Sequence, residues 1–192
     1  MNLPNKLTLL RFCLVPVFLL FIYLTEIPYS YMIALVIFAV ASATDALDGH
    51  IARKNNLVTS FGKFLDPLAD KVLVISALVV LVDLNIMSAI PLIIIIAREF
   101  MVSGLRLVVA DEGVVVPAGI WGKLKTAFTM VTIIFALVWL SIVNDFTPNI
   151  SANTLDIVDG SIQALIWVST VLTVISGLVY LKAFWKYIDT DK

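Results

Sequence analysis

The sequence is poor in the residues that usually mark soluble chemistry. It has one cysteine, Cys13, and one histidine, His50, in 192 residues. A single cysteine excludes an intrachain disulfide, and in an apolar run Cys13 reads as a small buried hydrophobe. Charge is scarce at 14% and nearly balanced, with a net charge of −1. No basic tail or patch is present, which argues against a nucleic-acid partner. No linker, repeat or low-complexity segment breaks the chain, so residues 1–192 read as a single domain. The opening MNLPNKLTLLRF lacks a clean signal-peptide pattern: Arg11 interrupts it and no small-residue cleavage site follows, so it reads as a retained span.

Apolar sequence fills the remainder. The chain is 61% hydrophobic with a mean hydropathy of +1.05, well above the roughly 45–50% of soluble domains. This predicts an all-α integral membrane protein. A span needs about 20 residues to cross about 30 Å of hydrocarbon. Six transmembrane helices fit, over 8–25, 30–53, 60–82, 87–109, 119–143 and 162–186, with the longest loop over 144–160. None of the thirteen Lys and Arg falls in 25–30, 82–88 or 144–160, which hold Glu26, Asp83, Asp145, Asp156 and Asp159. Positive residues stay on the cytoplasmic side. Both termini and the 53–58 and 111–118 connections are therefore expected there, in a multi-pass protein of the cell membrane. Trp139 and Trp167 belong to the outer interface on this topology, and Trp121, Trp185 and Tyr187 to the inner one.

Residues 44–71 depart from this apolar background, TDALDGHIARKNNLVTSFGKFLDPLADK. Asp45 and Asp48 approach the cytoplasmic end of the second helix, and Asp66 and Asp70 begin the third. A carboxylate in a span is costly and is a functional hypothesis by default. At 100° per residue, Asp45, Asp48, Gly49 and Ala52 fall within about 100° of arc. Gly62, Asp66 and Asp70 form an i, i+4, i+8 stripe. Pro67 is expected to kink its helix or to place Asp66 near the helix start. Carboxylate oxygens from two helices suit hard cations such as Mg²⁺, Mn²⁺ or Ca²⁺. Four of them can hold two metals about 3.5–4 Å apart, the arrangement that clamps phosphoryl transfer. Simple ion pairing with Arg53, Lys54, Lys63 and Lys71 is the bland alternative, and it leaves the interleaved glycines unexplained. His50 stands about 140° from Asp45 and off the carboxylate face.

The pattern Asp45-x2-Asp48-Gly49-x2-Ala52-Arg53-x8-Gly62-x3-Asp66-x3-Asp70 resembles the signature of the CDP-alcohol phosphotransferases at all eight specified positions. The resemblance implies a six-helix enzyme that releases CMP from a CDP-linked donor and joins the remaining phosphoryl group to an alcohol. It implies two divalent metal ions, Mg²⁺ or Mn²⁺, on Asp45, Asp48, Asp66 and Asp70, with Asp70 also the catalytic base. Gly49, Ala52 and Gly62 would make room for CMP, and Arg53 would bind donor phosphate, with Thr44 and Lys63 as further donor-site candidates. A homodimer is implied as well.

A second cluster bears on the acceptor. Arg98 and Arg106 lie about 80° apart in azimuth and about 12 Å apart along one helix. Two readings stay open: Arg98 pairs with Glu99 or an Asp while Arg106 snorkels, or Arg98, Arg106, Lys123 or Lys125 grip a phosphate carried by the acceptor. Lys123 and Lys125 stand about 200° apart, so only one of them faces the site. Thr8 and Arg11 are weaker candidates, with local capping or anchoring as the alternative. Ser176 and Gly177 allow close helix approach. A-R-E-x-x-x-S-G-L-R (97–106), W-G-K-x-K-T (121–126) and the opening M-N-x-P-N-K-x-T-L-x-R resemble the phosphatidylglycerophosphate synthase branch of the family. That implies CDP-diacylglycerol as donor and sn-glycerol 3-phosphate as acceptor. Competing readings are a cardiolipin synthase or an inositol-phosphate lipid synthase of the same fold, and a metal-ion transporter. The one-sided placement of the aspartates speaks against transport.

Overall fold

Helices occupy almost all of the described residues, as a sequence with this much apolar length in lipid requires, because only internal hydrogen bonding satisfies a backbone there. The computed structural model describes residues 3–54, 60–111, 119–146 and 150–187; of residues 3, 4, 45–54, 60–64, 66, 67, 70, 111 and 186 it describes the backbone course alone. Six α-helices follow in order: α1 (Leu3–Tyr23), α2 (Ser30–Lys54), α3 (Ser60–Asp83), α4 (Ala89–Asp111), α5 (Ile120–Ser141) and α6 (Ala152–Phe184). A π-helical turn, Ile142–Phe146, extends α5, and a 3₁₀ turn, Trp185–Tyr187, closes α6. Among the described residues, the segments Asn5–Tyr23, Ile120–Phe146 and Ala152–Phe184 are long and apolar enough to cross a membrane, and Ser30–Thr44 is a shorter apolar stretch. Large side chains such as Leu20, Val36, Val131 and Leu178 remain exposed on the helices. An apolar exterior on this scale belongs against lipid, and the protein is membrane-embedded.

The helices form two compact units. The first comprises residues 1–81 and 133–158. Here α1 packs along α2. Thr8, Arg11, Val15, Phe18 and Ile22 repeat every three or four residues and are all buried, as are Ala34, Phe38 and Ala41 on α2. Phe18 meets Phe38 with ring centroids 5.8 Å apart, and the small Ala34 and Ala41 flank that contact in the stripe. Cys13 is exposed on α1, contrary to its expected burial, because the helical register turns it away from this stripe. The start of α2 is fixed from a distance. Asp145 in the π-helical turn accepts hydrogen bonds from the Met32 amide at 2.8 Å and the Ser141 hydroxyl at 3.1 Å. A carboxylate at a helix N-terminus satisfies a donor that has no partner within the helix. Tyr29, just before α2, has φ of 61°, a costly conformation for a bulky residue, and its ring packs on Phe146 at 5.3 Å.

The second unit comprises residues 82–132 and 159–192. Buried hydroxyls run along α5 and α6: Thr129, Thr132, Ser169, Thr170, Thr173 and Ser176. Thr129 Oγ1 and Ser169 Oγ join the two helices at 2.7 Å. Thr132, Thr170 and Thr173 give their protons to carbonyls one turn back, the usual solution for a hydroxyl without water.

Helix bounds fall within about two residues of the predicted spans except at α1, which starts at Leu3 rather than near 8, and at α6, which starts at Ala152 rather than near 162. Asp156 and Asp159 make this segment read as loop, but the exposed residues of 152–161 form the polar first turns of a 33-residue helix. At about 1.5 Å per residue it is longer than the hydrocarbon is thick, so these turns need not be apolar. The Ser151 carbonyl accepts from the Thr154 and Leu155 amides and opens the helix.

Candidate functional site

The carboxylate positions lie in the first unit, on continuous helix. Asp45 and Asp48 are in the last ten residues of α2, and Asp66 and Asp70 are in the second and third turns of α3. Asp66 is not at its helix start, because α3 begins six residues earlier at Ser60 and runs through Pro67. The side chains of Asp45, Asp48, Gly49, His50, Ala52, Arg53, Gly62, Lys63, Asp66 and Asp70 lie outside the described residues.

Register still places these positions. Measured from Ala41, the buried positions 34, 38 and 41 occupy about 0–60° of the α2 circumference. Positions 45, 48, 49 and 52 fall between about −20° and 80°, on the continuation of the same stripe. On α3, buried Ala69, Leu73, Ala77 and Val80 span about 80°. Position 66 lies within that arc and position 70 at about its edge.

The approach to Asp45 is well anchored. The Ala41 carbonyl, one turn before Asp45, accepts from the Thr44 hydroxyl at 2.7 Å and from Arg11 Nε at 3.3 Å. Arg11 and Thr8 are fully buried on α1. The local anchoring considered for Arg11 is present, and Thr44 shares its acceptor.

The cation cluster belongs to the second unit. Arg98 on α4 donates from Nη1 to Glu99 Oε1 at 3.1 Å and from Nη2 to Ser176 Oγ on α6 at 2.6 Å. Lys125 on α5 donates to the same oxygen of Glu99. The Arg98 and Lys125 side chains keep only 10% and 8% of their surface exposed, so they cannot rely on water for neutralisation. Gly177 admits this contact: a Cβ there would stand 3.2 Å from Arg98 Cγ and from Met101 Cε. Arg106, otherwise exposed, donates to the Tyr180 hydroxyl at 3.2 Å. That hydroxyl also accepts from the Gly119 amide at 3.0 Å. Both guanidiniums lie 5.6 Å from the Tyr180 ring centroid.

The structure therefore gathers Arg98, Arg106 and Lys125 and leaves Lys123 exposed. Arg98 and Lys125 share the Glu99 carboxylate, and Arg106 is held on Tyr180. Arg98 Nε is buried with no hydrogen-bond partner among the described residues. An arrangement of this kind suits a dianionic phosphate. Tyr180 escaped the sequence reading. Its signal was a phenol in an apolar span, where the hydroxyl must find a partner.

Comparison with known proteins bears on both regions. Residues 1–175 match the CDP-alcohol phosphatidyltransferase family. The chain is 40% identical to the "CDP-diacylglycerol--glycerol-3-phosphate 3-phosphatidyltransferase" of Bacillus subtilis (strain 168), covering 99% of this chain and 98% of the relative. A protein of that name from Rickettsia bellii (strain RML369-C) is 43% identical over 97% of each chain. Another, from Pseudomonas fluorescens, is 41% identical over 100% of this chain and 94% of its own. With the aspartate signature complete and the match running along nearly the whole chain, this protein belongs to the CDP-alcohol phosphatidyltransferase family.

Proposed function

We propose that this enzyme transfers the phosphatidyl group of CDP-diacylglycerol to a hydroxyl of sn-glycerol 3-phosphate, giving phosphatidylglycerol phosphate and CMP. The observation that carries the choice of acceptor is the cation cluster. It gathers Arg98, Arg106 and Lys125 and leaves the buried Arg98 Nε without a partner among the described residues, in a chain whose full-length relatives are named for transfer to glycerol 3-phosphate.

The donor set fits two divalent ions, Mg²⁺ or Mn²⁺. All four groups are carboxylates, the oxygen donors such ions prefer, and within a membrane-spanning chain unneutralised charge would be costly. Asp45, Asp48, Asp66 and Asp70 would hold them. Bound there, the ions would neutralise the donor pyrophosphate and stabilise CMP as leaving group.

The chain's own residues supply the remaining functions. Gly49, Ala52 and Gly62 leave space for the cytidylate beside the carboxylates. Arg53 and Lys63 hold donor phosphate. Thr44 and Arg11, both tied to the Ala41 carbonyl, and the buried Thr8 keep the turn before Asp45 in place. Arg98, Arg106 and Lys125 grip the acceptor phosphate, in preference to the exposed Lys123. Asp70 takes the proton of the acceptor hydroxyl as its oxygen attacks the phosphatidyl phosphorus. The bond from that phosphorus to the bridging oxygen breaks, and CMP leaves with the oxygen. We place this chemistry at the cytoplasmic face of the cell membrane, from the distribution of Lys and Arg, in a single six-span domain that works as a homodimer.

The test uses the purified full chain in detergent with Mg²⁺ or Mn²⁺, CDP-diacylglycerol and one acceptor at a time. CMP release is expected with sn-glycerol 3-phosphate. Release with phosphatidylglycerol alone would move the protein to cardiolipin synthesis, and no release with any acceptor would remove the enzymatic reading.

A further inference from the structure

Tyr180 on α6 takes no part in the transfer as derived above, yet both arginines of the acceptor cluster meet on it. Arg98 and Arg106 start about 12 Å apart along α4, and each brings its guanidinium carbon to 5.6 Å from the ring centroid. Two like charges converging in this way repel each other. The negative face of an aromatic ring offsets part of that repulsion. The hydroxyl adds a second hold, accepting from Arg106 Nη2 at 3.2 Å and from the Gly119 amide at 3.0 Å. One side chain thus joins α4, the start of α5 and α6. Ser176, one turn earlier on α6, holds the other branch of Arg98 at 2.6 Å. Gly122 on α5 lies against the same groups: a Cβ there would stand in ordinary contact, 3.7 Å from Tyr180 and 3.8 Å from Arg98 Nη2.

We propose that Tyr180 is the positioning residue of the acceptor site, holding Arg98 and Arg106 at the spacing that receives the acceptor phosphate. The inference rests on the reading of these arginines as the phosphate grip. A flexible arginine loses rotamer freedom when it binds an anion, and preorganising it removes that cost from binding. Arg106 needs this most, because its position on α4 is exposed and Tyr180 is what ties it to the cluster. Removing the tyrosine therefore weakens acceptor binding and leaves donor binding alone.

Steady-state CMP release by the purified full chain separates these possibilities. Tyr180→Phe keeps the ring and loses the hydroxyl, and should raise the KM for sn-glycerol 3-phosphate about 10-fold. Tyr180→Leu loses both and should raise it about 50-fold or more. The KM for CDP-diacylglycerol should stay within about two-fold in each, which general loosening of the fold would not allow. A double-mutant cycle with Arg106→Gln gives a second readout. If the hydroxyl acts through Arg106, Tyr180→Phe should add less than about two-fold on the Arg106→Gln background. An unchanged acceptor KM in Tyr180→Phe, equal rises in both KM values, or full additivity in the cycle would each overturn the proposal while the acceptor assignment stood. Absence of glycerol-phosphate-dependent CMP release from the unmodified protein would instead overturn the assignment, and the proposal with it. If Tyr180→Leu does not fold, Tyr180→Phe and the cycle decide alone.

Discussion

Four carboxylate positions stand within one stretch, 45 to 70, at the end of α2 and the start of α3. The cations are spread over α4 and α5 and are held by Ser176 and Tyr180 from α6. The two regions differ in sign and also in how they are neutralised. A row of like charges on successive helix turns cannot balance itself, and on the proposed reading the carboxylates take divalent counter-ions from outside the chain. The cation cluster carries its own counter-ion, Glu99, and its own platform, Tyr180. The first region should therefore respond to what is dissolved around the protein, and the second to which side chains surround it.

The largest expected effect tests the first half of this contrast. Chelation with EDTA should abolish CMP release, and added Mg²⁺ or Mn²⁺ should restore it. Asp48→Ala should lower the rate about 1000-fold or more with the helical circular dichroism unchanged. Substantial activity in that variant would break the comparison, because the acidic stretch would then not depend on a metal held by its carboxylates.

Next comes Arg98→Ala, which should raise the KM for sn-glycerol 3-phosphate about 100-fold and leave the donor KM nearly unchanged. Equal effects on both would give Arg98 a structural role and erase the division of labour. Glu99→Gln addresses the internal counter-ion. It leaves Arg98 and Lys125 without their shared carboxylate and should lower stability by about 2 kcal/mol, read as a lower thermal unfolding midpoint. Inorganic phosphate should restore part of that loss by supplying the missing negative charge. An unchanged midpoint would mean that Glu99 does not balance the cluster.

How much of each region was legible in the sequence follows from the same difference. The aspartates share two helices consecutive in the chain, so spacing alone converts to a face, and the structure adds that all four positions lie within helix. Lys123 and Lys125 could be separated from one another, but which of them turns inward depends on the face that α5 presents to α4. Tyr180 was invisible because its partners, Arg106 and Gly119, are 74 and 61 residues away. Asp145 read as an outer-loop acid for a similar reason: its role as the cap of α2 depends on Met32, 113 residues distant. Apolar run length located the helices, but it could not place the start of α6, whose first turns are polar.

The smallest effects sharpen the boundary of the cation cluster. Gly177→Ala would press on Arg98 Cγ and Met101 Cε, both on flexible side chains, and should raise the acceptor KM only about three-fold. Lys123→Ala, at an exposed position, should stay within about two-fold of the parent on both KM values, whereas Lys125→Ala should weaken acceptor binding about ten-fold.

The most direct test follows one oxygen atom. The purified protein would be given CDP-diacylglycerol, Mg²⁺ or Mn²⁺, and sn-glycerol 3-phosphate carrying ¹⁸O in its hydroxyl groups, and the products would be weighed by mass spectrometry. Attack by the acceptor on the phosphatidyl phosphorus puts the label into the phosphodiester of phosphatidylglycerol phosphate and leaves CMP unlabelled. Label joined to cytidylate, or CMP formed without a labelled lipid, would contradict the account.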